Sequence, residues 1–274
     1  MGTQWIKHKD GIAWEESGQL HRAGLCHGVT GRTGGVSPAP YHSLNLALHV
    51  GDSVSCVLEN RRRLCAHLGC RLDVLTTPQQ THEDHVIAVG DSEIGRGAGS
   101  YHDAFPHTDA LMTSRPGVLL LICIADCVPV LLHDPEAEVI AAVHCGWKSS
   151  VQDILGAAVE KMCALGANPE NIHAAIGASI GKCCFETDRD VADAFFALLD
   201  PAMDERIEQR GDKFHIDLKE INRLWLLRAG IDPSRVDVHP DCTKCHPERY
   251  WSHRAMGEKR GGMAAMICLT EDML

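Results

Sequence analysis

Two histidines and one cysteine, from separate segments of this 274-residue chain, have the side chains of a catalytic zinc site. His82 ends the segment Gln-Gln-Thr-His, Cys127 ends Ala-Asp-Cys, and His144 lies in Val-His-Cys-Gly-Trp. Zn²⁺ favours imidazole nitrogen and thiolate sulfur, and three protein ligands leave a fourth tetrahedral position open for water or substrate. Zn²⁺ is therefore the metal that these residue types suit best, with copper as the alternative. Because the chain has 17 histidines and 13 cysteines, such a triple can also arise by chance.

Short apolar runs, typical of buried strands, border two of the three candidate ligands. Val118–Ile124 and Val128–His133 flank the turn that contains Cys127, and Val139–His144 ends on the third candidate. Strands are also predicted over Ile172–Ile176 and Met263–Leu269. Helices are predicted over 54–69, from Ser149 or Ser150 to Gly166, from Asp188 to about Leu199, and from Asp217 to Gly230. Because tight strand–strand links also occur, an α+β fold with a mixed sheet covered by helices is favoured over a strict βαβ array.

The composition is that of an ordinary globular protein, with 45% hydrophobic and 23% charged residues. Neither repeats nor linker-like tracts are present, so residues 1–274 are expected to form a single domain. The net charge of −11 argues against non-specific binding to nucleic acid or to an anionic membrane. The first ten residues contain no long apolar run, and Gly117–Ile124 is too short to span a bilayer. A cytoplasmic protein is therefore expected.

Other charged and sulfur-rich segments have less specific patterns. Arg61, Arg62 and Arg63 are expected on the solvated face of the first helix. Cys242 and Cys245 form a Cys-x-x-Cys pair that could be a metal clip, a redox pair or a structural turn, and the turn is favoured. The adjacent cysteines at 183 and 184 are not expected to chelate one metal together. A four-cysteine zinc site is accordingly not predicted.

Several segments, in a fixed order, resemble one known family. They are Gly31–Ser37, Ser43–Leu46, Gln80–His82, Thr108–Leu111, Ala125–Val130, His144–Trp147, Gly177–Glu186 and Cys242–Cys245. The family is that of the YfiH-like proteins, first labelled multicopper polyphenol oxidases (laccases) and then zinc-dependent purine nucleoside phosphorylases. The resemblance extends over nearly the whole chain, and it implies one domain of mixed β-sheets packed between helices.

The resemblance places the metal ligands at His82, Cys127 and His144. It implies phosphorolysis of adenosine, inosine, guanosine and methylthioadenosine, with adenosine deamination as a further activity. The expected partners are thus purine nucleosides and phosphate, and the oligomeric state stays open. Alternative functions are a copper-dependent polyphenol oxidase, a non-catalytic zinc scaffold and a cell-wall precursor editing factor. The sequence contains no His-x-His pair of the kind that holds a trinuclear copper cluster, which disfavours the oxidase.

Roles are expected for further residues around the metal. Asp126 either accepts a hydrogen bond from a ligand imidazole or stabilises its turn. Asn45 either pairs with the base or ribose or braces its loop. Arg32 and Lys148 would add positive charge for phosphate. For Phe185, packing in the core is expected rather than stacking on a base.

Four positions depart from the pattern of the family. Lys148 replaces an arginine, which keeps the charge and loses the planar fork. Glu83 replaces a glycine beside a metal ligand, Lys182 replaces a proline, and Gly262 replaces an arginine that follows Gly261. These departures leave the metal ligands intact and bear on phosphate affinity and substrate range.

Overall fold

The computed structural model describes residues 3–198 and 200–270, which contain fifteen β-strands and seven α-helices. The first strands are β1 (Gln4–Lys7), β2 (Ala13–Glu16), β3 (Leu25–Thr30), β4 (Leu75–Thr76), β5 (Val86–Ala88), β6 (Ala110–Thr113), β7 (Leu119–Ile124) and β8 (Val128–Asp134). The remaining strands are β9 (Val139–Cys145), β10 (His173–Ile176), β11 (Glu186–Thr187), β12 (Ile207–Arg210), β13 (Lys213–Ile216), β14 (Val236–Val238) and β15 (Met263–Leu269). The helices are α1 (Val54–His67), α2 (Trp147–Val151), α3 (Ile154–Ala164), α4 (Arg189–Phe196), α5 (Pro201–Asp204), α6 (Leu218–Arg228) and α7 (His253–Met256).

Most strands belong to two six-stranded mixed sheets. The first sheet has the order β1-β2-β3-β15-β7-β4, and the second has the order β14-β10-β8-β9-β6-β5. The pairs β4–β7, β5–β6 and β10–β14 are parallel, and the other pairs are antiparallel. A smaller antiparallel sheet has the order β11-β13-β12. The predicted fold class, α+β with mixed sheets, is confirmed.

The two large sheets pack face to face, and alternate residues of their central strands point to opposite sides. In β7, Leu120 and Ile122 enter the core between the sheets, whereas Leu121 packs on the α1 side. In β8, Leu131 enters the inter-sheet core and Leu132 packs with residues of α3 and α6. Burying each of these side chains stabilises the fold by about 1.5–3 kcal/mol. The sheets thus lie between helices on both sides, as expected.

The helix predicted from Ser149 or Ser150 to Gly166 is in fact two helices, so that prediction was wrong. The chain turns at Asp153, whose φ is +55° and whose carboxylate accepts a hydrogen bond from the Gly156 N–H at 2.9 Å. Asp153 is therefore the N-cap of α3. Both serines lie buried inside α2, where their hydroxyls bond to other groups instead of capping a helix.

The helices predicted over 54–69 and from Asp217 to Gly230 begin where expected and end two residues early. Asp217 caps α6 by accepting a hydrogen bond from a backbone N–H of the first turn. Gly69 and Gly230 follow α1 and α6 with positive φ angles of 70° and 94°, as glycines after helices commonly do. The fourth helix starts after Asp188, and its predicted end at Leu199 lies outside the described residues. Over the described residues, no helix combines the length and apolar character needed to cross a bilayer.

Arg61 is 1% exposed and joins α1 to two loops, which corrects the expectation of a solvated side chain. Its Nε donates to the Leu46 carbonyl at 2.9 Å, and its Nη1 donates to the carbonyls of Gly97 and Ala98 at 2.7 and 2.9 Å. The neighbouring Arg62 side chain is exposed and pairs within the helix, as predicted. A buried guanidinium with three carbonyl partners therefore fixes the loop at Leu46. The next residue of that loop, Ala47, lines the cavity described below.

Replacing Arg61 with Met is expected to lower the free energy of unfolding by about 3–5 kcal/mol, because three buried carbonyls lose a charged donor. Urea denaturation followed by circular dichroism measures the change. The matched control Arg62→Met, on the exposed face of the same turn, should change stability by less than about 1 kcal/mol. Equal denaturation midpoints for the two variants would contradict this account of Arg61.

Candidate metal and active site

The side chains of His82, Cys127 and His144 meet where the two large sheets adjoin. One ligand atom from each residue lies within 4.8 Å of the other two, and the imidazole centres are 4.9 Å apart. Cys127 lies on the turn between β7 and β8, His144 lies near the end of β9, and His82 belongs to the loop after β4. Burial falls from His144 through Cys127 to the exposed His82. The triad therefore has one side open to solvent.

The carboxylate of Asp109 fixes the loop that carries His82. It accepts hydrogen bonds from three consecutive backbone N–H groups, those of Thr81, His82 and Glu83, at 3.0, 3.1 and 2.9 Å. His82 itself has a φ of +65°, an uncommon conformation for a residue with a side chain. The three hydrogen bonds account for the persistence of this conformation. Three peptide N–H groups of the loop therefore donate hydrogen bonds to one buried anion.

The same carboxylate orients His144. Asp109 Oδ1 accepts from His144 Nδ1 at 2.7 Å, and the Asp109 carbonyl accepts from the His144 backbone N–H at 2.8 Å. With Nδ1 engaged in this way, Nε2 is the nitrogen left for a metal. Sequence reasoning did not give Asp109 a role. Its segment, Thr108–Leu111, was part of the family resemblance, and this was the one signal for it.

Asp126 stabilises the turn that carries Cys127. Its φ is +87°, and its carboxylate accepts from Thr243 Oγ1 and from the backbone N–H of Arg254, both at 2.6 Å. Its carbonyl accepts from the Ile180 N–H at 2.9 Å. Of the two roles expected for Asp126, these contacts are those of turn stabilisation. The role of orienting a ligand imidazole is filled by Asp109.

The two ligand imidazoles have opposite electrostatic environments. Although the residue is exposed on one side, desolvation of the His82 ring by its neighbours, followed by the nearby charge of His144, lowers the pKa of His82 to about 4. Burial acts in the same direction on His144, but the Cys127 sulfur and the hydrogen bond to Asp109 outweigh it and raise its pKa to about 10. Burial also acts to raise the pKa of Asp109, and the hydrogen bonds from His144 and the backbone lower it overall. An anion therefore stands behind the triad, as metal-ligating histidines commonly require.

Gly146 allows the His82 ring to approach β9. A Cβ atom at position 146 would lie 2.2 Å from His82 Nδ1 and 3.0 Å from its Cε1, which no side chain could tolerate without displacing the ring. The glycine of the segment His-Cys-Gly-Trp is thus explained by close packing. It is a requirement of the ligand geometry, since a larger residue would push His82 away from His144.

A cavity of about 290 Å³ opens beside the triad. Its lining includes four large apolar residues, Trp147, Ile180, Phe185 and Leu218, which we call the apolar wall. It also includes five polar or basic residues, His49, Gln80, His253, Arg254 and Arg260, which we call the basic wall. Phe185 was expected in the core; it is 8% exposed, and it contributes to the wall as well. Such a mixture of apolar surface and a few polar groups is typical of small-molecule sites.

Arg260 is the most distinctive basic residue of this wall. Its Nη1 donates to the Gly261 carbonyl at 3.0 Å, but its buried Nε has no hydrogen-bond partner among the described residues. Burial lowers the pKa of Arg260, and the charges of Asp126 and Cys127 oppose this effect. Arg260 lines the same cavity as the triad. A buried donor of this kind requires an acceptor. Sequence reasoning noted Arg260 next to the departure at Gly262 and gave it no role.

The three residues expected to bind substrate lie outside the wall of the cavity. Asn45 is fully buried; its side chain bonds to both the N–H and the carbonyl of Ala47 and accepts from the Gly262 N–H at 2.9 Å. Arg32 donates to two backbone carbonyls and stacks on a tryptophan ring at 3.9 Å. Lys148 is exposed on α2, with its ammonium 5.6 Å from the ring of Trp147. Asn45 braces two residues of the cavity lining, Ala47 and Gly262, and Lys148 follows the lining residue Trp147 in the chain.

Comparison with known proteins gives concordant matches. Residues 26–270 match the family model of the multi-copper polyphenol oxidoreductase laccases. The chain is 34% identical to purine nucleoside phosphorylase YlmD of Bacillus subtilis over 94% of this chain and 93% of that protein. It is 36% identical to adenosine deaminase RL5 of an unknown prokaryotic organism, over 81% of this chain and 85% of that protein.

The fold is also similar to that of solved structures. The crystal structure of YlmD from Geobacillus stearothermophilus matches with a TM-score of 0.91 and 35% identity, covering 97% of this chain and 99% of that one. A structure of the Bacillus licheniformis protein YfiH matches with a TM-score of 0.88 and 36% identity, covering 90% and 93%. These matches confirm the resemblance drawn from the sequence. The chain belongs to the YfiH-like family, whose model is described as multi-copper polyphenol oxidoreductase laccase.

Proposed function

We propose that the chain is a zinc-dependent purine nucleoside phosphorylase that acts on adenosine, inosine, guanosine and methylthioadenosine and also deaminates adenosine. The observation that carries the proposal is the juxtaposition of a His₂Cys triad, an unpartnered buried arginine donor and an apolar wall in one cavity. The names of the relatives, purine nucleoside phosphorylase and adenosine deaminase, agree with this reading.

The donor set fits zinc. Two imidazoles and one thiolate are ligands that Zn²⁺ accepts in catalytic sites, where a fourth position stays open. His82 is exposed on the cavity side, so the open position would face the cavity. When bound, Zn²⁺ supplies Lewis-acid polarisation and positive charge for substrate oxygens. A blue-copper centre would add a weak axial ligand such as methionine or glutamine. No methionine is among the described residues that line the cavity, and both polar groups of the Gln80 side chain are hydrogen-bonded to the Cys123 backbone.

The basic wall is suited to hold phosphate. Arg260 lines the cavity and has a buried Nε without a hydrogen-bond partner among the described residues, and Arg254 lines the same cavity while its Nη1 donates to the Glu186 carbonyl at 2.7 Å. Guanidinium groups bind phosphate oxygens through charge-assisted hydrogen bonds. Arg260 stands two residues before Gly262, the position at which the resemblance would place an arginine. In this chain, Arg260 is accordingly the residue that we expect to take over phosphate binding.

The apolar wall is suited to hold the purine. Phe185 and Trp147 offer aromatic surface, and Ile180 and Leu218 complete a surface on which a base can stack. Burial, followed by the charges of Arg260 and Arg61, lowers the pKa of His49 to about 4. His49 is therefore uncharged at neutral pH, so one ring nitrogen donates and the other accepts a hydrogen bond. Such a group can pair with a ribose hydroxyl or a purine nitrogen.

In phosphorolysis, an oxygen of phosphate forms a bond to ribose C1′ as the bond from C1′ to the purine nitrogen breaks. The leaving base keeps the electron pair of that bond and takes up a proton, and ribose-1-phosphate is the other product. The basic wall would place phosphate and the apolar wall would place the base, so the two reactants are held together. Deamination of adenosine uses water and releases ammonia, and it needs no phosphate. The two activities can therefore be separated by experiment.

Replacing His82 with Ala is expected to remove the metal of the cavity and to reduce phosphorolysis of adenosine to background, because two ligands are too few for a catalytic zinc site. Free adenine and ribose-1-phosphate are measured by chromatography with and without phosphate. The control His85→Ala changes an exposed histidine of the same loop that lies outside the cavity wall, and it should keep activity. Copper-dependent oxidation of phenols without nucleoside turnover would contradict the proposal.

Replacing Arg260 with Met is expected to raise KM for phosphate by about 10- to 100-fold, since one or two hydrogen bonds to a charged group are lost. Deamination of adenosine, which uses no phosphate, should persist in the same variant. The control Lys259→Ala removes a neighbouring exposed charge and should leave both activities near those of the wild type. An unchanged KM for phosphate in Arg260→Met would exclude this residue as the phosphate ligand.

A further inference from the structure

Four cysteines outside the active-site triad converge in the fold. The sulfurs of Cys183, Cys184, Cys242 and Cys245 all lie within 4.8 Å of one another. No such group was expected from the sequence, because the adjacent cysteines were not expected to share a metal and a structural turn was favoured for the Cys-x-x-Cys pair. We call this group the cysteine cluster. It lies apart from the His82 triad and uses none of its ligands.

Two tight turns build the cysteine cluster. In the first, the N–H groups of Cys184 and Phe185 both donate to the Gly181 carbonyl at 2.9 Å. In the second, the Cys245 N–H donates to the Cys242 carbonyl at 3.1 Å. A parallel bridge between Ser179 and Cys242 brings the two turns together, with Thr243 N donating to the Ser179 carbonyl at 3.0 Å. The backbone therefore positions all four sulfurs.

We propose that the cysteine cluster binds a second zinc ion in a closed, four-thiolate site. A tetrahedral zinc site with Zn–S bonds of about 2.3 Å has sulfur–sulfur edges of about 3.8 Å. The sulfur of Cys245 lies 3.7 Å from that of Cys183 and 3.5 Å from that of Cys184. A disulfide would need about 2.05 Å, and the four residues are free thiols in the structure. The spacing is that of ligands around one ion.

The surroundings suit a negatively charged metal complex. The Gly181 N–H donates to Cys242 Sγ at 3.2 Å, a contact that stabilises a thiolate. The buried ammonium of Lys219 donates to the Asp241 carbonyl at 3.1 Å, next to Cys242 in the chain. Four sulfurs in tetrahedral array select zinc or an iron–sulfur cluster. We assign zinc, because four protein ligands around one ion make a closed structural site.

The cysteine cluster is also linked to the active-site cavity. Thr243, between the two cysteines of the second turn, donates its hydroxyl to Asp126 at 2.6 Å. Asp126 immediately precedes the ligand Cys127, and Phe185 of the cavity wall immediately follows Cys184. A metal in the cluster would therefore fix both the turn that presents Cys127 and one side of the apolar wall. Its role is positioning, since none of its ligands lines the cavity.

The test counts zinc ions in purified full-length variants by elemental analysis and native mass spectrometry. Wild-type protein should carry two zinc ions, His82→Ala one, and the double variant His82→Ala/Cys245→Ser none. Cys245 is exposed, so its replacement leaves the core intact. The control Cys163→Ser, at a half-buried cysteine of α3, should keep both ions. Because the count in His82→Ala reports on the cysteine cluster alone, failure of the proposed function would not alter this result.

A second measurement keeps the inference testable if Cys245→Ser does not fold. His82→Ala loaded with Co²⁺ should show the intense sulfur-to-cobalt absorption of thiolate ligation. Mild blocking of exposed thiols, which reaches Cys183 and Cys245, should abolish it. Metal-free His82→Ala protein, a disulfide among the four cysteines, or iron with acid-labile sulfide in place of zinc would each overturn the assignment.

Discussion

One buried carboxylate, that of Asp109, holds the candidate metal centre together. It is fully buried, and it accepts from three backbone N–H groups of the His82 loop and from the imidazole of His144. An isolated buried charge would be costly, and these four hydrogen bonds offset that cost. They also fix a positive φ angle at His82 and the ring orientation of His144. Asp109 is thus the group whose hydrogen bonds join the His82 loop to His144.

The position of Cys127, the third candidate ligand, depends on the turn that carries the chain from one sheet to the other. β7 belongs to the first large sheet and β8 to the second, so the turn at Asp126 and Cys127 carries the chain across the interface. Hydrogen bonds from Thr243 and Arg254 hold that turn. The cavity opens at the same place, since Ala125, Asp126 and Cys127 of this turn line it. One turn therefore both joins the two sheets and places Cys127 in the cavity lining.

Local patterns in the sequence were sufficient to predict the central strands. Uninterrupted apolar runs identify β7, β8 and β9, because strands buried on both faces need no polar alternation. The role of Asp109 could not be predicted, since its partners lie 26 to 35 residues away. Arg61 was misjudged for the same reason, because its burial depends on loops that cross α1. The cysteine cluster likewise depends on a hydrogen bond between residues 61 positions apart, Gly181 and Cys242.

The central claim is that Asp109 presents His82, Cys127 and His144 to one zinc ion. Anomalous diffraction on either side of the zinc absorption edge, from crystals of the wild type and of Asp109→Asn, tests it most directly. The wild type should show a peak about 2.0–2.3 Å from Cys127 Sγ, His144 Nε2 and a ring nitrogen of His82. The peak should weaken in Asp109→Asn, since such partners support affinity by about 10- to 100-fold. A wild-type map without a peak among these residues, or a peak equally strong in the variant, would contradict the claim.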